Sequence, residues 1–175
     1  MPFSEYKHEL AFATSLWIFS VLAGLLWYTM FPEHFEVALP ADFWATFCNN
    51  AGLAIVYGWL GGLTVFLPMY WIFVNALNVA RVLVALTSAH GLAGVAKFTA
   101  LMIHGVPEWA ALIIAAAAGL RVAREVVFWF VKRERKTDVK YWLLRGAPLV
   151  ALAVVLLLIA ALLEIYVTPK VLAGL

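Results

Sequence analysis

Apolar residues in this chain come in long unbroken blocks rather than in the strict alternation of a half-buried strand, which predicts buried or lipid-facing helices. Leu10 to Phe31 carries no charge, and from Phe43 to Ala80 there is no Lys, Arg, Asp or Glu. About 20 apolar residues cross roughly 30 Å of hydrocarbon, so the first block supplies one span and the second nearly two. Pro68 falls where the second block must fold back, because proline lacks a backbone donor and disfavours helix in the residue before it. The pattern therefore predicts spans at about Ala45 to Leu67 and Met69 to Leu86, the latter taking in Arg81. Gly91 to Ile103 is short and carries Lys97. It reads as a half-span or re-entrant segment. Val106 to Leu120 continues into "RVAREVVFWF", and a last span runs from about Ala147 to Val167, ended by Pro169.

Composition turns this pattern into a class. Of 175 residues, 66% are hydrophobic and 13% charged, with mean hydropathy +0.97. So little polar surface cannot cover so large an apolar inventory in water, which predicts an all-α, polytopic transmembrane helical bundle forming a single integral membrane domain over 1–175, with the lipid bilayer as its first partner. The single cysteine, Cys48, excludes an intramolecular disulfide framework. The apolar run behind "MPFSEYKHEL" is too long for a signal-peptide core and has no small-residue cleavage pattern, so it is expected to stay as the first span.

Charge orients the chain. Eight of the twelve Lys and Arg residues lie between Arg121 and Arg145, whereas "PEHFEVALPAD" has none. Basic loops stay inside, so the Lys132 to Lys140 connection is expected to be cytoplasmic in a multi-pass protein of the cell membrane. With Lys7 also inside, an even number of crossings separates the two, giving about five full spans plus the short helix around "HGVPE". Six full spans with the N-terminus outside is the alternative. The five-span form places Cys48 at the outer end of the second span.

The polar residues inside the apolar blocks are the candidates for chemistry, because ionisable groups within a membrane are expensive. His104 and Glu108 flank Gly105 and Pro107, a pair expected to break the helix and leave Glu108 in the first turn of the next one. They can form a proton relay, a metal site, a substrate contact or a hydrogen-bonded clasp. Asn75, Asn78 and Arg81 step by three along one side of a helix, and Asn49 and Asn50 join them as groups expected to face the bundle interior. Glu164 can complete the cluster or sit at the interface as a lone carboxylate, and Arg121 is a further candidate. Gly58 and Gly62 form a GxxxG pair that, with Gly119 in the Ala115 to Gly119 run, is expected to let helices pack closely, within one chain or between two copies of a homo-oligomer. The four histidines, at 8, 34, 90 and 104, form no His-Glu-x-x-His face, so no metal is expected there. No phosphate loop, serine-nucleophile motif or dinucleotide fingerprint is present, so no cofactor and no recognisable catalytic motif is read from the chain. No nucleic-acid partner is expected.

"MIHGVPEWAALIIAAAAGLRVA" resembles the signature of the stage II sporulation protein M family, in which a His-Gly-x-x-Glu element precedes a small-residue helix ending in Gly-Leu-Arg. "CNNAGLAIVYGWLGG", "FVNALNVA" and "LLEIYVTP" resemble further family positions in the same order, from about Phe47 to Pro169. Ala76 and Ile103 depart from the glycine and proline common there. The resemblance implies a membrane component: the namesake is similar to an anchor that gathers peptidoglycan-degrading enzymes at a septum, which implies membrane or extracytoplasmic protein partners. Three functions are compatible with the chain. It can be a non-enzymatic scaffold, a transporter or channel for a small solute, proton or lipid, or an intramembrane enzyme using His104 and Glu108. A polar cavity bounded by the asparagines, His104 and Glu108 separates the last two from the first.

Overall fold

The computed structural model describes residues 3–31, 42–131 and 138–175. Among these the chain is an all-α bundle, as the sequence predicts. A 3₁₀ turn, Phe3–Tyr6, leads into α1 (Lys7–Met30). The second membrane-length segment is composite: α2 (Phe43–Leu53) widens into a π-helical stretch, Ala54–Trp59, then tightens into a 3₁₀ stretch, Leu60–Thr64. There follow α3 (Leu67–His90), α4 (Leu92–Val131), α5 (Val139–Tyr166) and the short α6 (Thr168–Ala173). Three stretches, Phe3–Met30, Leu67–His90 and Val139–Ala173, are long and apolar enough to cross a membrane.

The helix starts have local causes. Asp42 accepts from the backbone N–H of Ala45 at 2.6 Å, and Asp138 from that of Tyr141 at 2.8 Å. Each carboxylate satisfies a donor that the first turn leaves without an intrahelical partner. The reversal before α3 lies at Val65, slightly ahead of Pro68. Val65 has φ 69° and ψ −44°, and the N–H of Phe66 donates to the carbonyl of Thr64 at 2.8 Å. This is a γ-turn of positive φ, a rare and strained conformation for a β-branched residue. Pro68 then occupies the first turn of α3, where its missing N–H removes no helical bond.

One expectation is corrected. Gly91 to Ile103 is no half-span, and "HGVPE" is no turn: α4 runs through both as one helix of 40 residues with Pro107 inside it. At 1.5 Å per residue it is about 60 Å long, so its ends project beyond a hydrocarbon core of about 30 Å unless strongly tilted. Breaking a helix away from water frees several backbone groups, whereas passing through one proline sacrifices a single bond that neighbours and local adjustment can absorb. Pro148 is carried inside α5 in the same way.

α4 is the axis of the bundle. Its Ala115 to Leu120 stretch is wholly buried, and Ala115 and Ala116 share a core with Ile72, Trp71, Ala153 and Leu157. Small residues bring backbones together. A Cβ on Gly62 would strike the carbonyl of Gly119, and one on Gly119 would strike the carbonyl of Gly58. The three glycines thus set the approach of the π/3₁₀ segment to α4 within this chain, the close contact their spacing predicts.

Candidate functional site: a carboxylate and imidazole cleft

Because α4 is continuous, His104 and Glu108 are one helical step of four apart and share a face. That face looks into a cleft of about 530 Å³ between α3, α4 and the end of α5. Asn75 and Asn78 of α3 and Glu164 of α5 also line it. The cleft volume lies within the 300–1,000 Å³ typical of small-ligand sites.

His104 is held by a hydroxyl on one side and faced by a carboxylate on the other. Its Nδ1 lies 3.0 Å from Oγ1 of Thr168, a buried hydroxyl at the start of α6, and its Nε2 lies 3.9 Å from Oε1 of Glu164. Glu108 is reached by a relay from α2. The side-chain amide of Asn49 donates to Oδ1 of Asn50 at 3.2 Å, and Nδ2 of Asn50 points to Oε1 of Glu108 at 3.5 Å. That last distance is at the long limit of a hydrogen bond. Beside it, Asn50, Asn75 and Glu108 line a separate void of about 20 Å³. This is room for one water, with three polar side chains to hold it, so the asparagines and the carboxylate can be joined through solvent. Asn75 donates to the carbonyl of Trp71 at 2.9 Å, which leaves its amide oxygen and its second amide hydrogen for the site.

The sequence candidates therefore divide. His104, Glu108, Glu164, Asn75 and Asn78 line one cleft, and Asn49 and Asn50 adjoin it through Glu108. Arg81 is half-buried on α3 outside the cleft lining. Thr168 is not among the sequence candidates; it falls within "LLEIYVTP", just past the expected end of the last span. No group of three or more His, Cys, Asp or Glu side chains among the described residues has metal-binding geometry.

Arg121 belongs to a different constellation. It lies 13 residues from Glu108 along α4, about 20 Å by helical rise. There, buried Glu9 of α1 pairs with Arg121 at 3.3 Å and Arg124 at 2.9 Å, and Arg121 also meets Glu125 at 3.6 Å. The two acids and two bases balance in charge. The Arg121 guanidinium lies 3.8 Å over the ring centre of Trp142, and Arg145 forms a two-pronged pair with Glu5 at 2.8 and 3.1 Å. This network binds the start of α1 and the start of α5 to the end of α4.

Fold and site together define an all-α membrane protein whose helices enclose a cleft carrying two carboxylates and an imidazole. The chain belongs to the stage II sporulation protein M family, whose pattern matches residues 10–169. An uncharacterized protein of Methanocaldococcus jannaschii is similar, 33% identical over 78 residues. The aligned part covers 42% of this chain and 42% of that relative, so it spans less than half of either. No solved structure matches the chain.

Proposed function

We propose that the protein is a multi-pass membrane protein that binds and moves a small solute or proton through the cleft beside His104 and Glu108. The observation that carries this reading is the cleft itself: about 530 Å³ of space lined by Glu108, Glu164, His104, Asn75 and Asn78 in a bundle whose core is mostly apolar. A clasp that merely tied helices together would close on itself. Transport sites commonly gather such polar groups away from the membrane surface. In the accompanying topology the basic segment after α4 faces the cytoplasm, and five crossings alternate from an inner N-terminus. Pairing of Glu9 and Glu5 with Arg121, Arg124 and Arg145 beside that segment supports this orientation. The cleft then lies about 20 Å or more from the basic end, in the outer half of a 30 Å core.

The test is reconstitution into liposomes, with proton flux read by an internal pH dye and uptake measured for labelled cations, zwitterions and anions. Flux above protein-free vesicles, lost in Glu108→Gln while the unfolding temperature is kept, is the expected result. Absence of flux in every arm, with Glu108→Leu lowering stability and Glu108→Gln preserving it, would return the protein to the class of membrane scaffolds.

A further inference from the structure

We infer that the cleft takes a small organic cation carrying N–H donors, a primary ammonium or a guanidinium. This deepens the proposed function and rests on the cleft being a ligand site. Three features of its wall point to that chemistry.

The first is the sign of the polar groups. Glu108 and Glu164 contribute two carboxylates, and neither Lys nor Arg lines the cleft among the described residues. An anionic ligand would meet carboxylates and no basic side chain, and would give up its solvation without return. The second is the acceptor balance. One amide hydrogen of Asn75 is given to the carbonyl of Trp71, one donor of Asn50 points to Glu108, and Nδ1 of His104 is engaged by Thr168. The carboxylate oxygens of Glu108 and Glu164 and the amide oxygens of Asn75 and Asn78 offer acceptors on the wall, which suit a ligand that donates. The third is the rest of the lining. Trp109 and Phe98 present aromatic surface, and Leu101, Met102 and Leu112 present apolar surface. Trp109 is backed by Trp17, ring centres 4.7 Å apart, which fixes its orientation. Aromatic faces attract cations, and apolar walls accept a carbon skeleton. A bare metal ion would use neither, and three ligating side chains do not converge here among the described residues. Ammonium and guanidinium groups satisfy all three features at once.

The probe set is butylamine with its uncharged and anionic counterparts, butanol and butyrate, plus Mn²⁺, titrated against the full chain in nanodiscs by calorimetry and by the shift in unfolding temperature. Butylamine is expected to bind saturably and to raise the unfolding temperature. Butanol, butyrate and Mn²⁺ are expected to do neither. Glu108→Gln, and separately Glu164→Gln, should each weaken butylamine binding at least tenfold; the Glu164 variant keeps the test open if the first does not fold. Binding of butyrate or butanol as tight as that of butylamine, binding of Mn²⁺ alone, or butylamine affinity unchanged in both variants overturns the inference. Proton flux that depends on Glu108 without amine binding would leave the cleft as a transport site and remove only the organic cation. Absence of both flux and binding would remove both.

Discussion

The imidazole of His104 is suspended between a hydroxyl and a carboxylate: Nδ1 is 3.0 Å from Oγ1 of Thr168, and Nε2 is 3.9 Å from Oε1 of Glu164. A carboxylate is an acceptor, so the proton of a neutral ring is best placed on Nε2, facing Glu164. Nδ1 is then the acceptor, and Thr168 donates to it. The contact spans 64 residues of sequence and pins the C-terminal α6 to the middle of α4.

Thr168→Val keeps the shape of the side chain and removes its hydroxyl. Leaving Nδ1 without a partner in this enclosed position should lower stability by about 1–3 kcal/mol, whereas Thr168→Ser should stay close to the parent. Unfolding in detergent, followed by circular dichroism, measures both. Equal stability of the two variants would mean that the hydroxyl does not hold the ring.

Glycine substitutions should separate sharply by position. A Cβ at 119 or at 62 meets backbone carbonyls, which cannot rotate away, so Gly119→Ala and Gly62→Ala should each destabilise by at least the 1–3 kcal/mol of overpacking. Gly52 has nothing within 4 Å of the same atom. Gly52→Ala should therefore be neutral or stabilise by about 1 kcal/mol through helix propensity alone. Monodispersity on size exclusion and the melting temperature read all three, and a Gly119→Ala protein as stable as the parent would contradict the close approach.

Much of this arrangement is legible from residue types. Unbroken apolar blocks give the all-α membrane bundle, the three-residue step of Asn75 and Asn78 puts both on the cleft wall, and the small residues Gly58, Gly62 and Gly119 mark the tight crossing. The local reading of "HGVPE" fails because the strength of proline as a breaker depends on solvent. In water the groups freed by a break are hydrated, but inside a bundle they are not, and the helix holds. That continuity is also what sets His104 and Glu108 on a common face. Glu164 also reads as an interfacial acid, and Thr168 lies beyond the expected last span, until α5 and α6 are seen to bring both against α4. Arg121 carries the right residue type for a site but pairs at the other end of the helix.

Two acid substitutions at the first helix should differ in consequence. Glu9 is 5% exposed and is shared by Arg121 and Arg124, so Glu9→Gln leaves two arginines with Glu125 alone as counterion and should cost about 1–3 kcal/mol. Glu5→Gln breaks only the open pair with Arg145 and should change the melting temperature little, with a small effect that fades in high salt. Melting both variants at two salt concentrations is the check; a milder loss at Glu9 than at Glu5 would count against the network.

Val65 offers a gain rather than a loss. Its positive φ disfavours any side chain, and a β-branched one most. Val65→Gly should raise stability by about 1 kcal/mol, the relief of backbone strain exceeding the added freedom of the unfolded chain. Destabilisation by the glycine, measured in the same unfolding assay, would show that the valine side chain holds the turn by packing.

The pairing of Glu9 with Arg121 also fixes a timetable. The two residues are 112 positions apart, and at about 5–20 residues per second the ribosome delivers the arginine roughly 6–20 seconds after the glutamate. Throughout that interval Glu9 lacks the two arginines that hold it in the finished protein. A nascent chain cut short before the arginines keeps that open acid, and so carries a mark that separates it from the finished protein.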